Sequence, residues 1–227
     1  YYRGIHFFNA KVLEEQAPLY IELTKIYRQQ DQDFIQVLNH LRDNQITNED
    51  VKVLNRYVKP DFDALKEDGY ITLTTHNAKA DEMNARALKS LVGISHFYDA
   101  EVTGDFPEHL YPIEPKMELK IGAQVMFIKN DISFEKNFYN GKMGKIAFLG
   151  EEEITVYFPD EKKTISVQKY EWNNIRYQLN AATGEIKEDV LGTFVHYPLK
   201  LAWAITVHKS QGLTFDKAVL DVSDVFA

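Results

Sequence analysis

Apolar and polar positions follow the period of a helix in two segments of the first third of the chain. The first segment has apolar side chains at i, i+3, i+4 and i+7 and acidic residues at its start, which predicts an amphipathic helix. These side chains are Phe34, Val37, Leu38 and Leu41. Thr47 and Asp50 then have the spacing of a capping box, which predicts the start of a second helix. Apolar and polar residues alternate over residues 19–29, which predicts a strand that runs into a loop.

A strand followed by a helix is predicted over residues 70–91. Residues 70–74 alternate like a strand, a short polar turn follows, and apolar positions then return with helical spacing. The side chains expected to face inward on this helix are Met83, Ala87, Leu88 and Leu91. Strands that alternate with helices indicate an α/β fold built on a sheet.

The pattern changes after this predicted helix. Residues 93–116 hold three prolines and five acidic residues, so we expect an extended excursion there. Residues 117–196 show short alternating runs separated by turns. Asn140-Gly141 is a strong hairpin signal, and residues 182–185 indicate a second hairpin. Five or more short strands in about 80 residues predict a small β-barrel inserted into the α/β domain.

The last segment contains a break that has two explanations. Its sequence is LAWAITVHKSQGLTFDKAVLDV. Five polar or flexible residues, 208–212, interrupt the apolar run in this segment. Pro198 stands where a helix would begin, so we predict a helix that buries Leu201, Ala204 and Ile205 and ends at Gly212. A strand over residues 217–222 should follow. An ordinary helix cap explains the break, and so does a loop that presents polar groups to a ligand.

Composition limits the classes of function. The 227 residues are 44% hydrophobic and 13% aromatic, which favours one large domain or two modest ones. The absence of cysteine excludes disulfides, thiolate metal sites and cysteine nucleophiles, and the seven histidines lack metal-helix spacing. No apolar run is long enough to span a membrane, and no signal peptide is visible. We therefore expect a soluble cytoplasmic protein without a metal site or membrane contact.

Charge and chain ends add two expectations. The net charge of −8 argues mildly against a simple basic nucleic-acid patch, although a local phosphate-binding channel remains compatible with it. The chain begins at Tyr1 rather than at methionine and stops just after a predicted strand. We therefore expect a segment of a longer protein.

Three blocks of the sequence resemble motifs of the superfamily-one DNA helicases of the Pif-type and RecD-type group, in the same order. PLKLAWAITVHKSQGLTFDKAVLDV resembles motif V, and IELTKIYRQQDQDFIQVLNHLRDN resembles motif IV with its following helix. LKIGAQVMFIKND and FYNGKMGKI are similar to the segment that opens the family's barrel. The resemblance implies an α/β, RecA-like (P-loop NTPase-type) parallel-sheet domain with an inserted SH3-like β-barrel. Its expected boundaries are residues 1–116 and 197–227 for the RecA-like domain and 117–196 for the barrel.

The resemblance implies nucleotide contacts for four residues. Arg28 matches the arginine that reaches the γ-phosphate of ATP, where a planar, permanently charged fork can pair two phosphate oxygens. Gln29 is expected to orient that loop and contact ATP, and Gln211 and Gly212 are expected to face the nucleotide cleft. A surface arginine that caps the next helix is the alternative interpretation of Arg28.

Contacts with single-stranded DNA are implied for a second set of residues. They are Thr75, Asn77, Thr206, His208, Lys209 and Ser210. Thr75 and Asn77 stand where a strand becomes a helix, and a helix N-terminus offers N–H groups and a positive dipole to phosphate. Either residue would also serve as an ordinary N-cap. Trp203 is a candidate for base stacking, but its apolar surroundings favour a place in the core.

The function implied is that of the second RecA-like domain of an ATP-dependent DNA helicase moving 5′ to 3′ on single-stranded DNA. ATP and Mg²⁺ are the implied cofactors, and the first RecA-like domain of the same protein is the implied partner. No GxxxxGK[ST] phosphate-binding loop occurs in this sequence. We therefore expect the chain alone to be inactive and to bind no cofactor by itself. The alternative is a non-enzymatic module, derived from a helicase, that binds nucleic acid or protein.

Overall fold

The structure is a computed structural model that describes residues 4–23, 25–26, 29–180, 184–221 and 223. The chain divides into two compact units, residues 1–62 and 63–227. None of the described helices is long and apolar enough to cross a membrane.

Side-chain caps set the starts of the two longer helices of the first unit. Its elements are a 3₁₀ turn (Phe7–Asn9), α1 (Val12–Glu15), α2 (Gln32–Arg42) and α3 (Asn48–Asn55). Asp31 accepts a hydrogen bond from the backbone N–H of Phe34 at the start of α2, at 3.1 Å. Thr47 and Asp50 form the predicted capping box at the start of α3. Both predicted helices are confirmed.

The strand predicted over residues 19–29 is wrong in the part that the structure describes. Residues 19–23, 25–26 and 29 have no regular secondary structure. The side chains of Leu19, Ile21 and Leu23 are all exposed. A strand needs a neighbour that satisfies its backbone hydrogen bonds, and the described part of the first unit contains no strand. Alternation alone therefore gave the wrong element.

The second unit combines a parallel sheet with antiparallel strands. In chain order its strands and helices are a 3₁₀ turn (Ala64–Lys66), β1 (Ile71–Thr74), α4 (Asn77–Ser90), β2 (His96–Asp99), β3 (Glu101–Gly104), a 3₁₀ turn (Glu108–Leu110), β4 (Lys116–Leu119), β5 (Gln124–Phe127), β6 (Met143–Leu149), β7 (Ile154–Phe158), β8 (Lys163–Val167), β9 (Tyr170–Leu179), β10 (Ile186–His196), β11 (Leu199–Leu201), β12 (Ala204–Thr206), α5 (Val207–Ser210) and β13 (Ala218–Leu220).

Strand β1 is the centre of the parallel sheet, whose order is β12-β1-β13. The other sheets are antiparallel, with the orders β11-β5-β6-β7-β8, β3-β10-β9 and β2-β4. The larger apolar core is lined mainly by the five-stranded sheet. A smaller core joins Met126 of β5 to Ile71 and Ile205 of the parallel sheet. The five-stranded sheet thus packs directly against the strands that carry the polar break.

Two predictions for the second unit are wrong. The expected excursion over residues 93–116 contains β2 and β3, which pair with the distant strands β4 and β10. The helix predicted from Pro198 is replaced by β11 and β12. Strand β11 pairs with β5, and β12 is buried along its whole length beside β1. A short apolar run is typical of a buried strand as well as of a helix. Here strands of two sheets provide the backbone hydrogen-bond partners that a strand requires.

Both predicted hairpins are confirmed with modifications. Strands β5 and β6 pair, but residues 128–142 connect them, and Gly141 lies near the end of that connection with a φ of 94°. Strands β9 and β10 pair along almost all of their length. Residues 182 and 183 of their predicted turn lie outside the described residues.

Candidate nucleic-acid interface

The polar break lies at the carboxyl edge of the parallel sheet. Strands β1 and β12 run in parallel, and Thr74 stands opposite Thr206 at their ends. Because parallel strands end at the same edge of a sheet, the segments that follow them are neighbours. These segments are residues 75–77, which open α4, and residues 207–210, which form α5. The structure thus brings two of the sequence-predicted DNA-binding groups together.

Helix α4 begins without a side-chain cap. Its N-cap residue is His76, which makes no capping hydrogen bond. The N-cap position is therefore taken by His76, and not by Thr75 or Asn77 as the alternative interpretation required. The hydroxyl of Thr75 lies 2.8 Å from Nδ1 of His76, and Asn77 is exposed as the first helical residue. The first turn contains no acidic residue, so the positive end of the helix dipole is not neutralised by one of its own side chains.

Thr206 is buried, whereas the residues after it emerge into solvent. Its side chain is 4% exposed, and its Oγ1 accepts a hydrogen bond from the backbone N–H of Lys209 at 3.4 Å. His208 and Lys209 are exposed. The hydroxyl of Ser210 donates to the carbonyl of Val207 at 2.8 Å. These residues form one helical turn directly after a strand, and not the end of a long helix as the sequence had suggested.

The predicted nucleotide contacts lie in both units. Arg28 lies outside the described residues. The side-chain carbonyl of Gln29 accepts hydrogen bonds from the backbone N–H groups of Gln30 (2.8 Å) and Asp31 (3.0 Å), so Gln29 orders the loop before α2. In the second unit, Gln211 and Gly212 are exposed.

Gly212 adopts a backbone conformation that favours glycine. Gly212 has a φ of 85°, and a Cβ at this position would meet no atom within 4 Å. The described residues contain no cluster of three or more histidine or acidic side chains able to hold a metal ion.

An ion pair fixes the end of β13 to α4 at the same edge. The ammonium of Lys79 lies 2.9 Å from Oδ2 of Asp221 and donates to the hydroxyl of Ser223 at 2.8 Å. Hydrogen bonds from Ser223 and then Lys79 lower the pKa of Asp221 to about 2. Asp221 is therefore a carboxylate at neutral pH and holds Lys79 in place.

Asn84 holds the two polar segments in register, a role that sequence analysis missed. Its Oδ1 accepts hydrogen bonds from the backbone N–H groups of Trp203 (3.0 Å) and Ala204 (2.9 Å). Its Nδ2 donates to the carbonyl of Ala204 at 2.9 Å. Helix α4 is thereby fastened to the start of β12. An asparagine inside a helix, where it is a poor helix former, was the signal that could have found it.

The candidate for base stacking lies against the core. Trp203 is half-buried and packs against the larger core, which confirms its predicted place there.

A cavity of about 440 Å³ opens at the opposite, amino edge of the parallel sheet. Asp68, Tyr139, Lys142 and Lys217 are among its lining residues, and none of the predicted site residues lines it. Lys142 is paired with Glu161 at 2.6 Å. The cavity is therefore separate from the candidate interface.

Comparisons with known proteins agree with the motifs. No protein-family model matches the sequence. The human ATP-dependent DNA helicase PIF1 is 30% identical over 227 residues, which cover 97% of this chain and 33% of the human protein. The crystal structure of Bacteroides sp. Pif1 in complex with ADP-AlF4 matches all of this chain and 51% of that one, with 37% identity and a TM-score of 0.84. This chain is a homologue of part of the Pif1 helicases. It spans about a third of the length of the human relative.

The Pif1 structures confirm the predicted fold, a RecA-like domain with an inserted SH3-like barrel. The structure of Bacteroides Pif1 bound to single-stranded DNA also matches the whole chain, with 38% identity and a TM-score of 0.64.

Proposed function

We propose that this chain is the second RecA-like domain, with its barrel insertion, of an ATP-dependent DNA helicase. The observation that carries the proposal is the similarity to ATP-dependent DNA helicases over 97% of the chain. The domain boundaries remain those expected from the resemblance, with residues 1–116 and 197–227 in the RecA-like domain and 117–196 in the barrel. The absence of cysteine fits a reducing compartment, and we place the protein in a bacterial-type cytosol or nucleoid.

The carboxyl edge of the parallel sheet is the proposed DNA contact. The start of α4 offers backbone N–H groups and a positive dipole, and exposed His208 and Lys209 stand beside it. Residues at this edge form the contact with phosphates of single-stranded DNA, either directly or by shaping the turn. They are Thr75, Asn77, Thr206, His208, Lys209 and Ser210. Thr206 is buried, so its contribution is to shape the turn through its bond to Lys209.

The same segment continues into the proposed nucleotide contact. Gln211 and Gly212 follow the DNA-binding residues directly, so a movement of this turn affects both ligands. Arg28 is proposed to pair with γ-phosphate oxygens, and Gln29 orders the loop that carries it. ATP, when bound with Mg²⁺, supplies the free energy of phosphoryl transfer to water. The first RecA-like domain, which this chain lacks, is the proposed partner that completes the site.

Substitution of Arg28 in the complete protein tests the nucleotide part of the proposal. Arg28→Ala should lower kcat for DNA-stimulated ATP hydrolysis by roughly 10³-fold, as for other arginine fingers, whereas nucleotide affinity should change much less. Arg28→Lys should restore little, because a point charge does not reproduce the planar fork. A near-normal kcat in Arg28→Ala would refute the assignment, and loss of folding would favour the structural role instead.

The direction of movement is tested with partial duplexes. The resemblance implies 5′ to 3′ translocation, so a duplex with a 5′ single-stranded tail should be unwound and one with a 3′ tail should not. Unwinding only from 3′ tails would overturn the polarity. Binding of DNA without any ATP hydrolysis by the complete protein would favour a non-enzymatic module.

A further inference from the structure

Lys200 interrupts the apolar strand β11 and extends toward the parallel sheet. In the pairing of β11 with β5, Lys200 stands opposite Met126, so both side chains leave the same face of the five-stranded sheet. Met126 packs against Ile71 and Ile205 of the parallel sheet. The aliphatic stem of Lys200 therefore lies along the smaller core, with its ammonium at the end of that stem.

The ammonium of Lys200 has no ion-pair or hydrogen-bond partner among the described residues. The side chain is half-buried, and burial lowers its pKa to about 8. The positive charge of Lys209 on α5 lowers it further, and Asp81 on α4 opposes the shift. The ammonium thus lies within electrostatic reach of both helices that form the candidate interface.

This arrangement lacks a negative charge. A half-buried ammonium is unfavourable unless it is paired, and the positive charge of Lys209 increases the cost. Asp81 is exposed and forms no ion pair with either lysine in the described part of the chain. A phosphate bound at this edge would supply the absent counter-charge to both ammonium groups.

We propose that Lys200 is a further DNA-phosphate-binding residue and that it acts together with Lys209 on the backbone of single-stranded DNA. The proposal rests on the proposed function, because that function supplies the anion. It adds a residue that none of the motif-derived assignments includes. Lys200 binds phosphate from the side of the five-stranded sheet, so the DNA backbone passes beside β11 as well as over α4 and α5.

Fluorescence anisotropy of a labelled oligo-dT over a series of salt concentrations tests this with the purified protein. Lys200→Met keeps the stem and removes the charge. Each phosphate contact on a single strand contributes about 0.7 to the slope of log K against log salt. Lys200→Met should therefore lower the slope by about 0.7 and weaken binding about fivefold at 0.1 M salt. Lys200→Arg should keep the slope.

Lys187→Met is the matched control. Lys187 lies on β10, is 74% exposed and pairs with Asp189 at 3.0 Å, so its loss changes the net charge equally without touching the interface. Its slope and affinity should stay close to those of the unmodified protein.

Melting temperature separates DNA binding from a structural role. Replacing an unpaired, half-buried charge with a methionine should leave the melting temperature unchanged or raise it. A loss of affinity together with a lower melting temperature would assign Lys200 a structural role and overturn the inference. An unchanged slope in Lys200→Met would overturn it as well, while leaving the proposed function intact. Failure of the unmodified protein to bind oligo-dT even at low salt would overturn both.

Discussion

Asn84→Ala should destabilise the second unit more than most substitutions at half-buried positions do. The change removes an acceptor of two backbone N–H groups, those of Trp203 and Ala204, and a donor to the Ala204 carbonyl. An unsatisfied buried donor costs about 1–3 kcal/mol. Alanine regains about 0.6 kcal/mol through its better helix propensity. We therefore expect the free energy of unfolding to fall by about 2–4 kcal/mol.

Urea denaturation followed by tryptophan fluorescence measures this loss. Asn84→Asp keeps an acceptor for the two N–H groups but places a carboxylate oxygen against the Ala204 carbonyl, so it should restore only part of the loss. Glu82→Ala is the control, because Glu82 is an exposed residue of the same helix α4 and makes no hydrogen bond or ion pair with the described residues. Substitutions of surface residues usually change the free energy of unfolding by no more than about 0.5 kcal/mol. A loss for Asn84→Ala no larger than that of Glu82→Ala would refute the register role.

The remaining predictions concern proton binding and catalysis. His196 is fully buried with both ring nitrogens unpaired, and burial lowers its pKa. As pH falls below about 6.5, the unfolded chain binds a proton that the folded chain does not, so stability should fall. His196→Phe should flatten this part of the stability-against-pH curve, and an unchanged curve would contradict it. The 227-residue chain alone should show no DNA-stimulated ATP hydrolysis, because it has no phosphate-binding loop. Phosphate release that Arg28→Ala abolishes would contradict this.

Local signals explain which elements could be predicted. Helix α3 followed from the Thr47–Asp50 capping box, and α2 and α4 followed from apolar residues at helical spacing. Each of these signals lies within one element, so no distant partner was required. Strand β1 was predictable for the same reason, because a clear polar turn and a long helix follow it.

Distant partners explain the errors. Residues 199–206 could have formed a helix, but β11 pairs with β5 and β12 pairs with β1, which lies about 130 residues earlier in the chain. The motif near residues 206–212 marked the polar break, and in the structure that break directly follows strand β12. Its local geometry depended on where the strands end, and that was not visible in the sequence.

The roles of Asn84 and Lys200 also depend on distant contacts. Asn84 meets residues 119 and 120 positions away in the chain. The environment of Lys200 is formed by β5 together with charged residues of α4 and α5. A polar residue within a helix or an apolar strand was visible in each case, but only the fold shows what it faces.

Amide hydrogen exchange of the purified protein, with and without saturating oligo-dT, tests the DNA-binding edge most directly. Residues 76–80 at the start of α4 and residues 207–212 should exchange more slowly when DNA is bound, because both segments face the same strand. The β9–β10 hairpin, residues 170–180 and 184–196, should be unaffected and serves as the internal reference. Protection confined to that hairpin, or protection of only one of the two edge segments, would contradict the proposed interface.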